Sequence, residues 1–367
     1  MKKIRKFLFS PGEFFRDYLI KKYPFKNTEL YIPEDEEYLF IKAQEIVGNL
    51  EHKLYSTESS EIDVVYTWVD NSDVNWLKKY QETKSIFSEK SFSLYALDPA
   101  RFTNHDELYY SLISIKKYMP WIRKIHIVTD GQKPKLPNNI NTENIYFIDH
   151  KEIIDSQYLP TFNSHVIEAH LHNIPDLSEN FIYFNDDVFT ARMLPREHFF
   201  RNNGIASIFI SPKKLSIKKV LTPTLCASLN SSDLLYKDYG IKITNSLIHT
   251  YIPLKKSIYT LVWNRHKDLI DTFLNNRFRN NQDLNLATFL VPWVMYLEGK
   301  AVFSQDICYY FNIRSAHAQT QYTKLLQKNQ QNLQPHSFCA NDFNSQSSIC
   351  EYRENLISML ESYYCNK

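Results

Sequence analysis

Apolar, β-branched residues gather between Ile62 and Val69 and stop at Asp70-Asn71-Ser72-Asp73. A short apolar run bounded by turn residues predicts a buried strand. Asp73 then stands as a helix N-cap before Val74 to Tyr80. Asn104 and Glu107 open a second helical stretch that runs to Tyr118 and is stopped by Pro120. Lys124 to Thr129 predicts a second strand, with a turn at Asp130-Gly131, and Ile145 to Ile148 a third. Asn163 or Ser164 caps a helix that reaches about Asn173 before Pro175. Phe181 to Phe184 predicts a fourth strand, and it runs straight into Asn185-Asp186-Asp187. Strands alternating with helices predict an α/β fold with a mostly parallel sheet flanked by helices. Such sheets bind ligands beyond the carboxyl ends of their strands, where Asp70 and the Asp186/Asp187 pair fall.

The pattern is weaker on either side. Residues 201 to 248 read as short strands and polar turns, an insertion or lid. Residues 255 to 275 read as helical, and Gln282 to Leu297 as a helix kinked at Pro292. Residues 318 to 348, rich in Gln, Asn and Ser, read as loops, and Cys350 to Tyr364 as a terminal helix. At the other end, Ser10-Pro11-Gly12-Glu13 predicts a capped helix with Phe14, Phe15, Tyr18 and Leu19 on one face. Eight Lys and Arg stand against Glu13 and Asp17 in residues 1 to 26. Such a helix suits an anionic membrane surface, or equally a dock on the protein's own body. These shifts divide the chain into an N-terminal helical segment (1–60), a central domain (61–345) and a C-terminal helix (346–367).

Composition narrows the function classes. With 6 Gly in 367 residues the chain has neither GxGxxG nor GxxxxGK[ST], so the common Gly-rich phosphate cradles are excluded. A net charge of +2 gives no basic face for nucleic acid. Five dispersed Cys without a CxxC pair fit free thiols in a reducing cytoplasm. No apolar run approaches the ~20 residues that span a bilayer.

Two adjacent carboxylates at a strand end repel each other, and a divalent cation relieves that repulsion. Asp186-Asp187 therefore reads as a Mg2+ or Mn2+ site, against the alternative of a solvated turn. His165, Glu168 and His172 share a helical face but lack the HExxH pattern of a zinc site. His249, Arg277, Arg279, Asn341 and Asp342 follow no spacing rule of their own.

At these residues the sequence resembles the Stealth family. Ile62-Asp63-Val64-Val65-Tyr66-Thr67-Trp68-Val69-Asp70 is similar to the family's first conserved block. The second block is carried by Arg101-Phe102, Asn104, Glu107, Pro120-Trp121-Ile122-Arg123, Ile127 to Gln132, Leu159 to Ser164, Glu168 and Phe181 to Asp187. His249 with Pro253 and Arg279 with Asp283 resemble the third block, and Phe338 to Asp342 the fourth. In the third block Pro253 lies further from His249 than the family's His-x-Pro spacing.

The resemblance implies a glycosyltransferase-A-like catalytic core. It implies transfer of a hexose-1-phosphate, N-acetylhexosamine-1-phosphate in our reading, from a UDP-sugar to a hydroxyl of a growing capsular polysaccharide, releasing UMP. A conventional glycosyltransferase releasing UDP and a non-catalytic polysaccharide-binding protein are the competing readings. By the same resemblance Asp187 and Asp342 hold Mg2+ or Mn2+, and Asp70, Asp186, His249 and Arg279 are catalytic, with either His249 or Asp186 the base. Thr67, Trp68, Arg101, Asn104, Asn163, Ser164, Glu168, Asn185 and Asn341 are assigned to substrate; Asn163, Ser164 and Glu168 equally suit a role in buttressing their helix. The expected setting is cytoplasmic, at the inner membrane face through residues 1–26, beside capsule-assembly proteins.

Overall fold

The computed structural model describes residues 11–12, 14–15, 32–34, 36–54, 61–87, 95–138, 141–215, 221–343 and 350–365. The expected N-terminal amphipathic helix thus lies largely outside the described residues. In chain order the helices are α1 (Glu37–Leu54), α2 (Val74–Ile86), α3 (Glu107–Tyr118), α4 (His150–Ile153), α5 (Ser164–Ala169), α6 (Pro223–Tyr239), α7 (Lys256–Arg265), α8 (Lys267–Leu274), α9 (Val291–Leu297), α10 (Ala318–Gln330) and α11 (Tyr352–Tyr364). The strands are β1 (Ile62–Thr67), β2 (Ile125–Thr129), β3 (Ile145–Asp149), β4 (Asn180–Asn185), β5 (Val188–Thr190), β6 (Ala206–Lys214), β7 (Asn245–Leu247), β8 (Ile252–Lys255), β9 (Ala301–Ser304), β10 (Cys308–Asn312) and β11 (Ser337–Asn341).

The central sheet has the order β3-β2-β1-β4-β8. Its first four strands run parallel, with Thr67 of β1 level with Val128 of β2 and Asn185 of β4. β8 closes the edge antiparallel to β4. This is the parallel α/β architecture that the alternating pattern predicts. β1 and β4 are buried on both faces, which explains their unbroken apolar runs. Val64, Val65, Phe181, Ile182 and Phe184 reach 0% exposure in the main core.

A second sheet, β10-β11-β5, carries a core of its own against α3, α10 and α11. The two sheets meet at one point in the chain. β4 ends at Asn185, Asp186 and Asp187 turn, and β5 starts at Val188 in the other sheet. β11 pairs antiparallel with β5, and the Ala340 N–H donates to the Asp187 carbonyl at 3.0 Å.

Three expectations are corrected here. The polar turns expected in 201–248 include the 17-residue α6, capped by Thr222 and ended by Gly240 in the left-handed conformation (φ 68°). Its interior is polar in composition, but Ser228 and Ser231 pair with Asn285 and Ser232 with the Ile243 carbonyl. The loops expected in 318–348 are instead α10 and β11. The helix expected over Gln282–Leu297 with a kink at Pro292 is shorter: Leu286–Leu290 winds as a π-turn capped by Asn285, and the α-helix Val291–Leu297 follows with Pro292 in its first turn. All five cysteines are free thiols. No helix among the described residues is long and apolar enough to cross a membrane.

Candidate active site

A cavity of about 560 Å3 opens at the carboxyl ends of β1 and β4. Thr67, Trp68, Arg101, Ser164, Glu168, Asn185, Asp186, Asp187, His249, Arg279, Asn341 and Asp342 line it, so twelve of the sequence-predicted residues converge. They come from segments spread over more than two thirds of the chain. The parallel sheet brings them together because it points all four strand ends the same way.

One wall is acidic. Asp187 accepts from Asn341 Nδ2 at 3.0 Å and from the Cys339 thiol at 3.4 Å, both at Oδ2. Its Oδ1 is buried and has no hydrogen-bond partner among the described residues. Burial, and then the charge of Asp187, raise the Asp186 carboxyl to about 7. Glu107, 4% exposed at the start of α3, is raised well above its ordinary value by burial and by Asp186. Three carboxyls thus crowd one corner, with Asp187 acting on the protonation of Asp186 and Asp186 on that of Glu107. Donor atoms of Asp187, His249 and Cys339 lie within 4.8 Å of one another. Burial and the nearby Asp187 keep the Cys339 thiol protonated.

A second part of the lining is basic. Arg279 donates to Ser164 Oγ at 2.6 and 3.2 Å and to Thr224 Oγ1 at 3.3 Å. Arg101 is fixed by the Ala96 carbonyl at 2.7 Å. Burial, and then the charge of Arg279, weaken the hold of Arg101 on its proton. Two guanidiniums held close in a partly buried wall are costly, and the carboxylates of Glu168 and Asp283 offset part of that cost. Asp283, fully buried, shapes the loop that presents Arg279. It accepts from Asn163 Nδ2 (2.9 Å), Asn276 Nδ2 (2.8 Å) and the Asn280 N–H (2.9 Å), and meets His165 Nδ1 at 3.0 Å.

Several sequence assignments change. Asp342 is not grouped with Asp187: both its oxygens are taken by Arg314, and His105 adds a bond at 2.9 Å. The donors beside Asp187 are His249 and Cys339 instead. Asp70 does not line the cavity, and its carboxylate accepts from the Ser72 N–H (2.8 Å) and Asn104 Nδ2 (3.2 Å). Asp70 and Asn104 therefore brace the loop after β1. Asn163, fully buried, caps α5 by accepting from the His165 N–H and holds Asp283. His172 stacks on Tyr259 at 5.2 Å, away from Asp283, so the helical His165/His172 pair forms no metal site.

Conserved region 1 of Stealth proteins matches residues 60–88, and conserved region 2 matches residues 101–208. The chain is 54% identical to the capsular polysaccharide phosphotransferase LcbA of Neisseria meningitidis, covering 99% of this chain and all of that one. It is 56% identical to a capsular polysaccharide phosphotransferase of Actinobacillus suis, over 99% and 98% of the two chains. The chain belongs to the Stealth family of phosphotransferases. A more distant relative is an exopolysaccharide phosphotransferase of Streptomyces coelicolor, 35% identical over 76% of this chain and 30% of that one. Among solved structures, the galactosyltransferase LgtC aligns with 82% of this chain and 95% of its own at 11% identity and a TM-score of 0.39. That likeness is too loose to bear on chemistry.

The matched Stealth regions supply Thr67, Trp68, Arg101, Glu107, Ser164 and the Asp186/Asp187 pair. His249, Arg279 and Asn341 come from segments beyond them. Arg314 and Thr224 went unnoticed in the sequence, while Glu107 and Cys339 stood in the resembling blocks without a role in the site. Glu107 read as a helix cap; it does accept from the His105 N–H at 2.6 Å, but it also faces the cavity. Arg314 and Thr224 sit in no pattern that announces them. Only the register of β11 against β5 brings Cys339 to Asp187.

Proposed function

We propose that this enzyme transfers a hexose-1-phosphate, in our reading N-acetylhexosamine-1-phosphate, from a UDP-sugar to a hydroxyl of a growing capsular polysaccharide, releasing UMP. The observation that carries the reading is that one cavity is lined both by the carboxyls Asp186, Asp187 and Glu107 and by the guanidiniums of Arg101 and Arg279. A diphosphate bridged to a divalent cation satisfies both walls at once. The names of the close relatives support phosphotransfer and a capsular product.

Mg2+ or Mn2+ fits the acidic wall, because a buried carboxylate oxygen of Asp187 lacks a partner among the described residues and two neighbouring carboxyls are raised by burial and by nearby carboxylate charge. Asp187 would hold it, with the Asn341 amide beside it; the protonated Cys339 thiol is a poor ligand. Bound there, the ion supplies charge neutralisation to the diphosphate.

The protein's own groups do the rest. Arg279, pinned by Ser164 and Thr224, offers a planar pair of donors to the phosphoryl oxygens as charge builds there. Arg101 anchors the second phosphate. His249 stands exposed at the cavity mouth and takes the proton of the incoming hydroxyl. The hydroxyl attacks the phosphorus next to the sugar, the bond from that phosphorus to the UMP oxygen breaks, and the anomeric C–O bond stays intact.

The test is an incubation with a panel of nucleotide sugars and Mg2+, resolving the nucleoside products. UMP formed together with a phosphodiester is the expected result. UDP as the product overturns the reading in favour of glycosyl transfer.

A further inference from the structure

The basic and acidic walls account for the donor but leave the outer rim of the cavity unexplained. Tyr310 and Phe343 both line the cavity, yet they stay 38% and 42% exposed. Tyr95, also lining it, meets Phe343 edge-on at 5.5 Å. Exposed rings cost hydration free energy, and these three line the same cavity as the charged groups.

Their position follows from strand register. In the parallel pair β10/β11, Tyr310 lies level with Cys339 and Asn312 with Asn341. Tyr310 is therefore one strand outward from the two residues that contact Asp187. Its ring also meets the His249 imidazole edge-on at 5.5 Å. A planar apolar face thus adjoins the group that receives the acceptor's proton. Lys213 Nζ stands 5.9 Å from the centre of the same ring.

We infer that Tyr310, with Phe343 and Tyr95 beside it, is the platform on which the terminal sugar of the acceptor saccharide lies, its hydroxyl turned toward His249. The inference rests on the proposed phosphotransfer for the identity of the acceptor. A pyranose ring has an apolar face of C–H groups and a rim of hydroxyls. It covers an aromatic ring while its hydroxyls stay hydrated or reach neighbouring polar groups. The donor, carrying two phosphates, is drawn to Arg101 and Arg279 and has no electrostatic reason to rest on the aromatic side. A phosphodiester-linked acceptor also carries negative charge along its length, and Lys213 is the cation placed to meet it next to the platform.

The proposal predicts a split between the two substrates. Binding is measured by calorimetry with a short oligomer of phosphodiester-linked N-acetylhexosamine, without donor, and separately with UDP-N-acetylhexosamine. Tyr310→Ala is expected to weaken oligomer binding about tenfold, and Tyr310→Phe, which keeps the ring, to bind like the wild type. Donor binding should change less than about twofold in both variants. Unchanged oligomer affinity in the alanine variant, an equal loss for donor and oligomer, or a wild type that does not bind the oligomer overturns the platform. A wild type that binds the oligomer through Tyr310 but releases UDP upholds the platform and removes the phosphotransfer reading instead.

Discussion

Asp63 and the Asp186/Asp187 pair sit at opposite ends of the same two adjacent strands and are treated in opposite ways. At the amino end, Asp63 is fully buried and completely satisfied. Arg123 grips it through two bonds (2.6 and 2.8 Å), and the backbone N–H groups of Ser178 and Lys124 add two more (2.8 and 3.2 Å). Burial works to raise this carboxyl, but the bonds from Arg123, His126 and Ser178 outweigh it and hold the group well below the usual carboxylate range. At the carboxyl end, Asp187 keeps a buried oxygen without a partner among the described residues, and Asp186 is raised to about 7. The first carboxylate is complete within the protein. The second is complete only with something added, and that contrast separates a group that holds the fold from one that awaits a ligand.

The sharpest way to break the contrast is to neutralise one carboxylate at each end. Asp187→Asn should cut transfer by about a thousandfold or more while leaving the circular dichroism spectrum intact. It should also abolish the rise in melting temperature that Mg2+ or Mn2+ gives the wild type. Wild-type turnover by this variant, or a thermal response to the ion as large as before, defeats the metal role. Arg123→Ala should do the reverse. Leaving Asp63 buried and unpaired costs about 3–5 kcal/mol in denaturant unfolding, while turnover per folded molecule stays the same.

A smaller effect is expected on the basic wall. Arg279→Lys keeps the charge but loses the planar pair of donors, so kcat should fall about a hundredfold with little change in the donor KM. A rise in KM alone would move Arg279 to ground-state binding.

Proton linkage offers a quieter measurement. With divalent ions chelated, folded Asp186 keeps its proton up to about pH 7, whereas the unfolded chain releases it near ~4. Its folded value is the higher, so stability falls as pH rises through that window. Asp63 has the lower folded value, so its contribution is full above ~4 and is lost as pH falls below that. Asp186→Asn should therefore raise the melting temperature by a few degrees at pH 8 but not at pH 5. An equal shift at both pH values would mean that the strain at Asp186 is not electrostatic. The smallest change is expected from Asp70→Asn, since that carboxylate only braces a loop. Activity should change by less than about threefold, and a loss as deep as that of Asp187→Asn would restore Asp70 to catalysis.

The same contrast shows what could be read from the sequence. The Asp186/Asp187 pair was visible because it ends a strongly apolar strand, and a strand end has one meaning in a parallel sheet. Asp63 could not be told from any polar residue in a strand, since its partner Arg123 is 60 positions away. Strands β1 to β4 follow from period and composition, whereas β9, β10 and β11 are short and bordered by polar residues. α6 was hidden by serines whose hydroxyls find partners only after folding. Arg279 and Asn341 could be reached by resemblance alone. Asp342 looked like a ligand for as long as Arg314 had no place in space.

The turn at Asp186-Asp187 joins one sheet to the other, and Asn341, which completes it, lies 154 residues further along the chain. A ribosome adding roughly 5–20 residues per second needs about 8–30 s to cover that distance. Through that interval the nascent chain already carries both aspartates but has no β11 to pair with β5. The acidic corner and the strand that frames it therefore come into being together, late in synthesis, and a chain interrupted before Asn341 has the two aspartates of the turn without the means to shape it.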